Sequence, residues 1–179
     1  MLKLHLTIIV ACGALLASVP AQAASTATTE IIVSGTVTIP PCEVNSNAAL
    51  DVDFGSMPLS GQTGPDGAYQ KVQSVPVVCT YYQGTPHVKL TGTVHGGTTS
   101  CIATNITDFC INFYQGEGTG TEMVVGPGAN NNGYPITAGL TGANTASGAF
   151  SFTMVPNRLA ANLQAGAFNA TATMSIIYN

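Results

Sequence analysis

The sequence predicts an all-β chain folded as a sandwich of immunoglobulin-like architecture, and three observations carry that reading. Charged residues are only 7% of the 179, while 20 Gly and 10 Pro punctuate runs rich in Val, Ile and Thr, the composition of many short strands joined by turns. Several of those runs alternate apolar and polar residues with period two, as strands with one buried face do. They also recur at short intervals with no heptad, internal repeat or domain linker between them, which favours a sandwich over a helical or α/β fold.

Met1 to Ala23 carry one Lys at position 3, an apolar stretch from Leu4 to Val19 and the small-residue triplet Ala21-Gln22-Ala23. These are the features of a secretory signal peptide, here residues 1–23. Ile9-Val10-Ala11-Cys12 loosely resembles a lipoprotein cleavage site, but cutting there would strand the apolar Gly13–Val19 segment on the mature side. Residues 24–179 suit one domain, and no later apolar run approaches the roughly 18 residues of a membrane helix.

Residues 24–28 show no apolar pattern, so a flexible start is expected. From Thr29 the alternation is sharp: Thr29, Ile31, Val33, Gly35, Val37 and Ile39 share one parity, and Pro40-Pro41 stops the strand before Cys42. Short strands then fit Leu50–Phe54, Gln73–Tyr81, His87–Thr93, Cys110–Tyr114, Met123–Val125 and Ala149–Met154, between turn-forming clusters such as Gly61–Gly67 and Gly126–Gly133. The last strand, Ala167–Tyr178, is the clearest. Phe168, Ala170, Ala172, Met174, Ile176 and Tyr178 form an apolar parity against Asn169, Thr171, Thr173 and Ser175.

Past the leader, Cys42, Cys79, Cys101 and Cys110 form an even set in an exported chain, which reads as two disulfides. Three pairings are possible. Cys42–Cys79 with Cys101–Cys110 is favoured, because the second pair closes a short local loop and leaves the first to bridge two strands. On the loop-entropy model the longer bridge contributes on the order of 3–4 kcal/mol. Zinc is disfavoured: the cysteines lack C-x-x-C spacing, and His87 and His95 are remote from them in sequence.

The first and last strands could pair as neighbours in a closed sandwich, or the first could be an arm that serves another molecule. At this point the residues resemble the chaperone–usher pilin family: Cys42 after Ile39-Pro40-Pro41, Asp51-Val-Asp-Phe-Gly55, Cys79 closing Val75-Pro-Val-Val-Cys79, Gly166, and Tyr178 next to last. More narrowly, Thr38–Cys42, Ala103-Thr-Asn-Ile-Thr107, Tyr114-Gln-Gly116, Asn132-Gly-Tyr134, Thr137-Ala-Gly-Leu140 and Met174–Asn179 resemble minor pilins of the P-pilus tip-adaptor kind. The resemblance covers 29–179.

The resemblance implies an incomplete immunoglobulin-like β-sandwich lacking its last strand and completed by a donor strand from another protein. It implies an N-terminal donor-strand extension over 24–41 and a pilin domain over 42–179. Thr29, Ile31, Val33, Gly35 and Val37 would enter a neighbour's groove. Gly166, Phe168, Ala170, Ala172, Met174, Ile176, Tyr178 and Asn179 would line this chain's own groove and bind a periplasmic pilus chaperone, with the Asn179 carboxylate as anchor. An outer-membrane usher, neighbouring pilins and the tip adhesin are the other implied partners, and the cell-surface fimbrium is the implied destination. Inserting four apolar side chains at about 1.5–3 kcal/mol each gives at most ~6–12 kcal/mol, comparable to the ~5–15 kcal/mol stability of a typical domain. The sequence departs from the adaptor pattern at Cys101 and Cys110, whose bridge would staple the Ile102–Phe109 loop.

Nothing in the sequence supports an enzyme, a cofactor or a small-molecule substrate. His87 and His95 lack a triad context, and Asp51 and Asp53 read as a solvated face. Asn105-Ile-Thr107 matches a glycosylation acceptor by spelling only, and Gly116-Glu-Gly118-Thr-Gly120 lacks the lysine of a phosphate loop. Lys71, Lys89 and Arg158 are the only cations after the leader, which argues against nucleic acid. The expected function is a structural minor subunit linking adhesin to fibre. A major rod pilin, or a self-complete secreted binding module whose arm folds onto its own body, are the alternatives.

Overall fold

The structure, a computed structural model, describes residues 29–179; the leader predicted over 1–23 lies outside the described residues. The chain divides into two units, Met1–Thr36 and Val37–Asn179. In the first, residues 29–36 form no strand or helix and all are exposed.

The second unit is all-β. Its strands are β1 (Glu43–Val44), β2 (Gly64–Pro65), β3 (Lys71–Val78), β4 (Pro86–Gly92), β5 (Cys101–Ala103), β6 (Phe109–Gln115), β7 (Thr121–Glu122), β8 (Tyr134–Pro135), β9 (Leu140–Thr141), β10 (Ser147–Arg158) and β11 (Ala172–Tyr178). The larger sheet runs β1-β3-β10-β6-β5, with β2 and β9 against β10 and β7 against β6; the smaller runs β11-β4-β8. Every ladder between these strands is antiparallel. No helix among the described residues is long and apolar enough to cross a membrane.

Register follows the period-two pattern. In the larger sheet Phe150 stands opposite Val75 and Met154 opposite Phe113; in the smaller, Met174 faces Leu90 and Ile176 faces Val88. The two inner faces bury Val75, Val77, Leu90, Ile111, Phe113, Phe150, Phe152, Ile176 and Tyr178 in one core, the layer arrangement expected of a sandwich. Cys42–Cys79 ties the segment before β1 to the end of β3, and Cys101–Cys110 joins β5 to β6, with Cα separations of 4.3 and 5.5 Å.

Three predicted strands are absent, and a fourth is shortened. Thr29–Ile39 and Leu50–Phe54 form no ladder, although Val52 and Phe54 do turn inward against the core. The terminal strand begins at Ala172, not Ala167. Its partner β4 leaves the sheet after Gly92, where an added Cβ would meet Ile102 Cδ1 at 2.8 Å and Thr171 O at 3.0 Å. Beyond that point the chain crosses to β5, with Ala103 N–H donating to Thr93 O and His95 N–H to Cys101 O. Residues 167–171 therefore have no β4 residue left to pair with. Met123–Val125 is also not a strand: β7 ends at Glu122, and beyond it Val125 forms an isolated bridge to Leu90 and donates its N–H to Thr99 O (2.9 Å).

Candidate functional site: an open slot beside the terminal strand

A groove runs over one side of the second unit's core. It measures about 640 Å³ and is lined by Leu50, Val52 and Phe54, by Ala170, Ala172 and Met174, and by Cys42. Its floor is the core itself: Val75, Leu90, Ile102, Ile111, Phe113, Phe152 and Met154 all line it. A second compartment of about 510 Å³ adjoins it, lined by Met57, Leu59, Ile106, Phe109, Leu163 and Gly166. Val52, Phe54 and Phe168 line both compartments.

The walls are backbone edges. Consecutive residues Ala172, Thr173, Met174 and Ser175 all line the groove, which an alternating strand can do only by presenting its edge. β11 pairs with β4 alone, and on its other edge the backbone bond is the one that Cys42 N–H donates to Ile176 O (2.7 Å). Across the groove, the 50–54 segment has unpaired backbone too. Two segments with unpaired backbone beside a slot whose floor is the buried core present the hydrogen-bonding rows that one more strand would satisfy.

The remaining site residues fall into three places. Ile176 and Tyr178 are fully buried in the core, while Gly166, Phe168, Ala170, Ala172 and Met174 line the compartments. Ile31, Val33 and Val37 are 79%, 89% and 98% exposed, Thr29 is exposed, and an added Cβ at Gly35 would meet nothing within 4 Å. Asn179 is held at the chain end: Thr85 N–H donates to Asn179 O (2.9 Å) and Asn179 N–H to Thr85 O (3.1 Å). Gly84, at φ +99°, fits only because it lacks a side chain, since its Cβ would lie 2.1 Å from Asn179 O.

Sequence reasoning missed the facing wall. Leu50, Val52 and Phe54 carry an apolar parity opposite Asp51 and Asp53, so the signal was present, but nothing in the pattern says that a strand's partner is missing. It also missed Arg158, which is buried in the second compartment's wall, paired with Asp66 and donating to Pro58 O (3.2 Å).

Among the described residues the titratable groups pair locally. His87 Nδ1 lies 3.0 Å from Thr85 O, His95 lies 3.6 Å from Asp108, and Asp53 accepts from Gly55 N–H. No group of three or more metal-ligating side chains occurs among the described residues. Burial, and after it the Glu122 charge, pushes the Tyr114 phenol above its ordinary value, but Tyr114 lies outside the lining of both compartments.

Comparison with known proteins identifies the family. The family model described as "Fimbrial protein" matches residues 31–179. The Escherichia coli "Fimbrial adapter PapF" is 41% identical over 152 residues, 84% of this chain and 87% of that protein. The "Minor fimbrial protein PrsF" of the same organism is 40% identical over the same shares. Among solved structures, the P pilus adaptor subunit PapF matches with a TM-score of 0.52 and 32% identity, over 80% of this chain and 100% of that one. The P pilus rod subunit PapA gives 0.57 at 22% identity, over 78% and 100%.

Proposed function

The chain belongs to the fimbrial protein family, and on that footing we propose that it is a tip-adaptor minor pilin whose slot accepts a donor strand from another protein. As a fimbrial subunit it crosses the periplasm and ends in a surface fimbrium, where its contacts are with neighbouring pilins. The observation that carries the slot reading is the groove over the core, bordered by the free edge of β11 and by the 50–54 segment with its unpaired backbone. A donor strand that seats three or four apolar side chains in the groove contributes about 1.5–3 kcal/mol for each, a sum comparable to the ~5–15 kcal/mol stability of an ordinary domain, so an occupant is expected to raise stability markedly.

During export the occupant is a strand of a periplasmic chaperone, with the Asn179 carboxylate as its anchor. At the usher it is replaced by the arm of the next subunit. A donor that continues the antiparallel ladders of the fold lays its N-terminal half beside the C-terminal end of β11 and its C-terminal half along the second compartment. In such an arm Ile31 and Val33 enter the first compartment of a neighbour and Val37 the second. The adaptor role is favoured over the rod role because identity to the adaptor relative reaches 41%, whereas the rod subunit, at 22%, speaks to fold alone.

The test is self-complementation: residues 29–39 are appended after Asn179 through a short flexible linker. The fusion is expected to be a markedly more stable monomer than the parent. Equal stability would mean a complete sandwich and favour a secreted binding module.

A further inference from the structure

The two compartments meet at Phe168, whose ring lies 5.9 Å from that of Phe54 and 4.9 Å, edge-on, from that of Phe109. The ring is thus a partition in the slot, yet it sits on a segment without a β-ladder: residues 167–171 lie beyond the end of β4's pairing. What holds this backbone is Asn105. Its Nδ2 donates to Ala167 O (3.1 Å), its Oδ1 accepts from Asn169 N–H (2.7 Å), and its own backbone N–H donates to Asn169 O (3.3 Å). The side-chain amide stands in for a strand neighbour, gripping the backbone on both sides of Phe168.

The side chain fits that task by chemistry. An amide offers a donor and an acceptor together; aspartate keeps the acceptor for Asn169 N–H but sets a second oxygen against Ala167 O, and alanine keeps neither. The loop that carries Asn105 is itself fixed. Thr104 Oγ1 donates to Phe109 O (2.8 Å) and accepts from Ile106 N–H (3.1 Å), and the Cys101–Cys110 bridge closes the hairpin at its base. Ile106 and Phe109 from the same hairpin line the second compartment. The Asn-x-Thr spelling at 105–107 is therefore explained by a contact within the chain that engages both amide atoms.

We infer that Asn105 is a positioning residue for strand acceptance: it fixes Phe168 as the partition and so sets the shape of the second compartment for the C-terminal half of a donor strand. This rests on the slot reading above, and it names which residue governs one half of the slot.

A double-mutant cycle in the self-complemented fusion tests it, with chemical unfolding as the readout. Asn105→Ala is expected to lower the folding equilibrium constant about tenfold, equivalent to ~1.4 kcal/mol. The loss should shrink to within about twofold when the appended arm carries Val37→Ala, and persist when it carries Ile31→Ala instead, because coupling is confined to groups that share a contact. Asn105→Asp, which preserves the side chain's shape, should show the same coupling at smaller amplitude. Losses that add independently with both arm substitutions would make Asn105 merely structural and overturn the inference. Failure of the unmodified fusion to gain stability over the parent would instead overturn the slot reading, a separate result.

Discussion

In the self-complemented fusion, side chains of one parity of the arm are buried and those of the other are not, and two adjacent isoleucines make the sharpest comparison. Ile31 and Ile32 are 79% and 82% exposed in the chain, so they start from the same solvation and differ only in parity. If residues 29–39 fill the slot, Ile31 faces the floor formed by Val75, Leu90, Phe152 and their neighbours, while Ile32 points outward. Burying a side chain of that size contributes about 1.5–3 kcal/mol, and the entropy of ordering the arm is common to both variants and cancels. Ile31→Ala should therefore cost roughly 2–3 kcal/mol and Ile32→Ala less than about 0.5 kcal/mol, the level of an ordinary surface change. Extending the first change to Ile31→Ala/Val33→Ala/Val37→Ala removes about 4.5–9 kcal/mol of burial. At about 2–4 °C per kcal/mol for a chain of this size, the triple variant should melt roughly 10 °C or more below the fusion. Calorimetry or circular dichroism on the purified monomers measures both numbers. Equal losses from Ile31→Ala and Ile32→Ala would refute the reasoning, because a strand inserted in register cannot treat the two parities alike.

Three further outcomes follow from named contacts. Replacing Cys101 and Cys110 by Ser opens a loop of sequence separation 9 and should lower stability by roughly 2.5–3 kcal/mol, read from urea midpoints at unchanged slope; an unaltered midpoint would show that the hydrogen bonds of residues 104–109 suffice. Arg158→Met leaves Asp66 without its partner and Pro58 O without a donor, so a loss of about 3–5 kcal/mol is expected, partly recovered by adding Asp66→Asn; no recovery would show that the charge pair is not the source of the loss. Gly84→Ala forces a Cβ to within 2.1 Å of Asn179 O and must displace the chain end, so co-purification with the chaperone should fall sharply while Gly61→Ala, whose Cβ meets nothing within 4 Å, serves as the strained-backbone control. Equal capture of both variants would remove the chain end from the anchoring role.

β11 was legible from Ala172 because its apolar parity meets the core, whereas of β10 only Ala149–Met154 was read, because Phe152 to Pro156 are buried in succession and carry no alternation. The 50–54 and 29–39 segments alternate just as clearly, yet neither forms a ladder here. Side-chain parity reports which face is apolar; it does not report whether a backbone partner is present. The same gap explains the start of β11. Residues 167–171 carry the alternation of a strand, but β4 departs at Gly92, and the side chain of Asn105 supplies the bonds instead. No period marks a single amide in a loop 62 residues away from Ala167, so its role emerges only from the fold.

These gaps belong to one physical situation. A chain that closes its own core must encode every strand and that strand's partner; a chain completed by another molecule encodes an apolar face, two bare edges and a spare strand. The exposure of Val33 and Val37 and the openness of the slot are then two halves of one requirement. On the donor-strand reading each is costly alone, and a matching strand seated in the slot removes both costs. Substitutions in the slot floor, such as Leu90 or Phe152, act on both the fold and the junction. Substitutions in the arm, such as Val33 or Val37, act on the junction alone, because those side chains contribute no burial to their own chain.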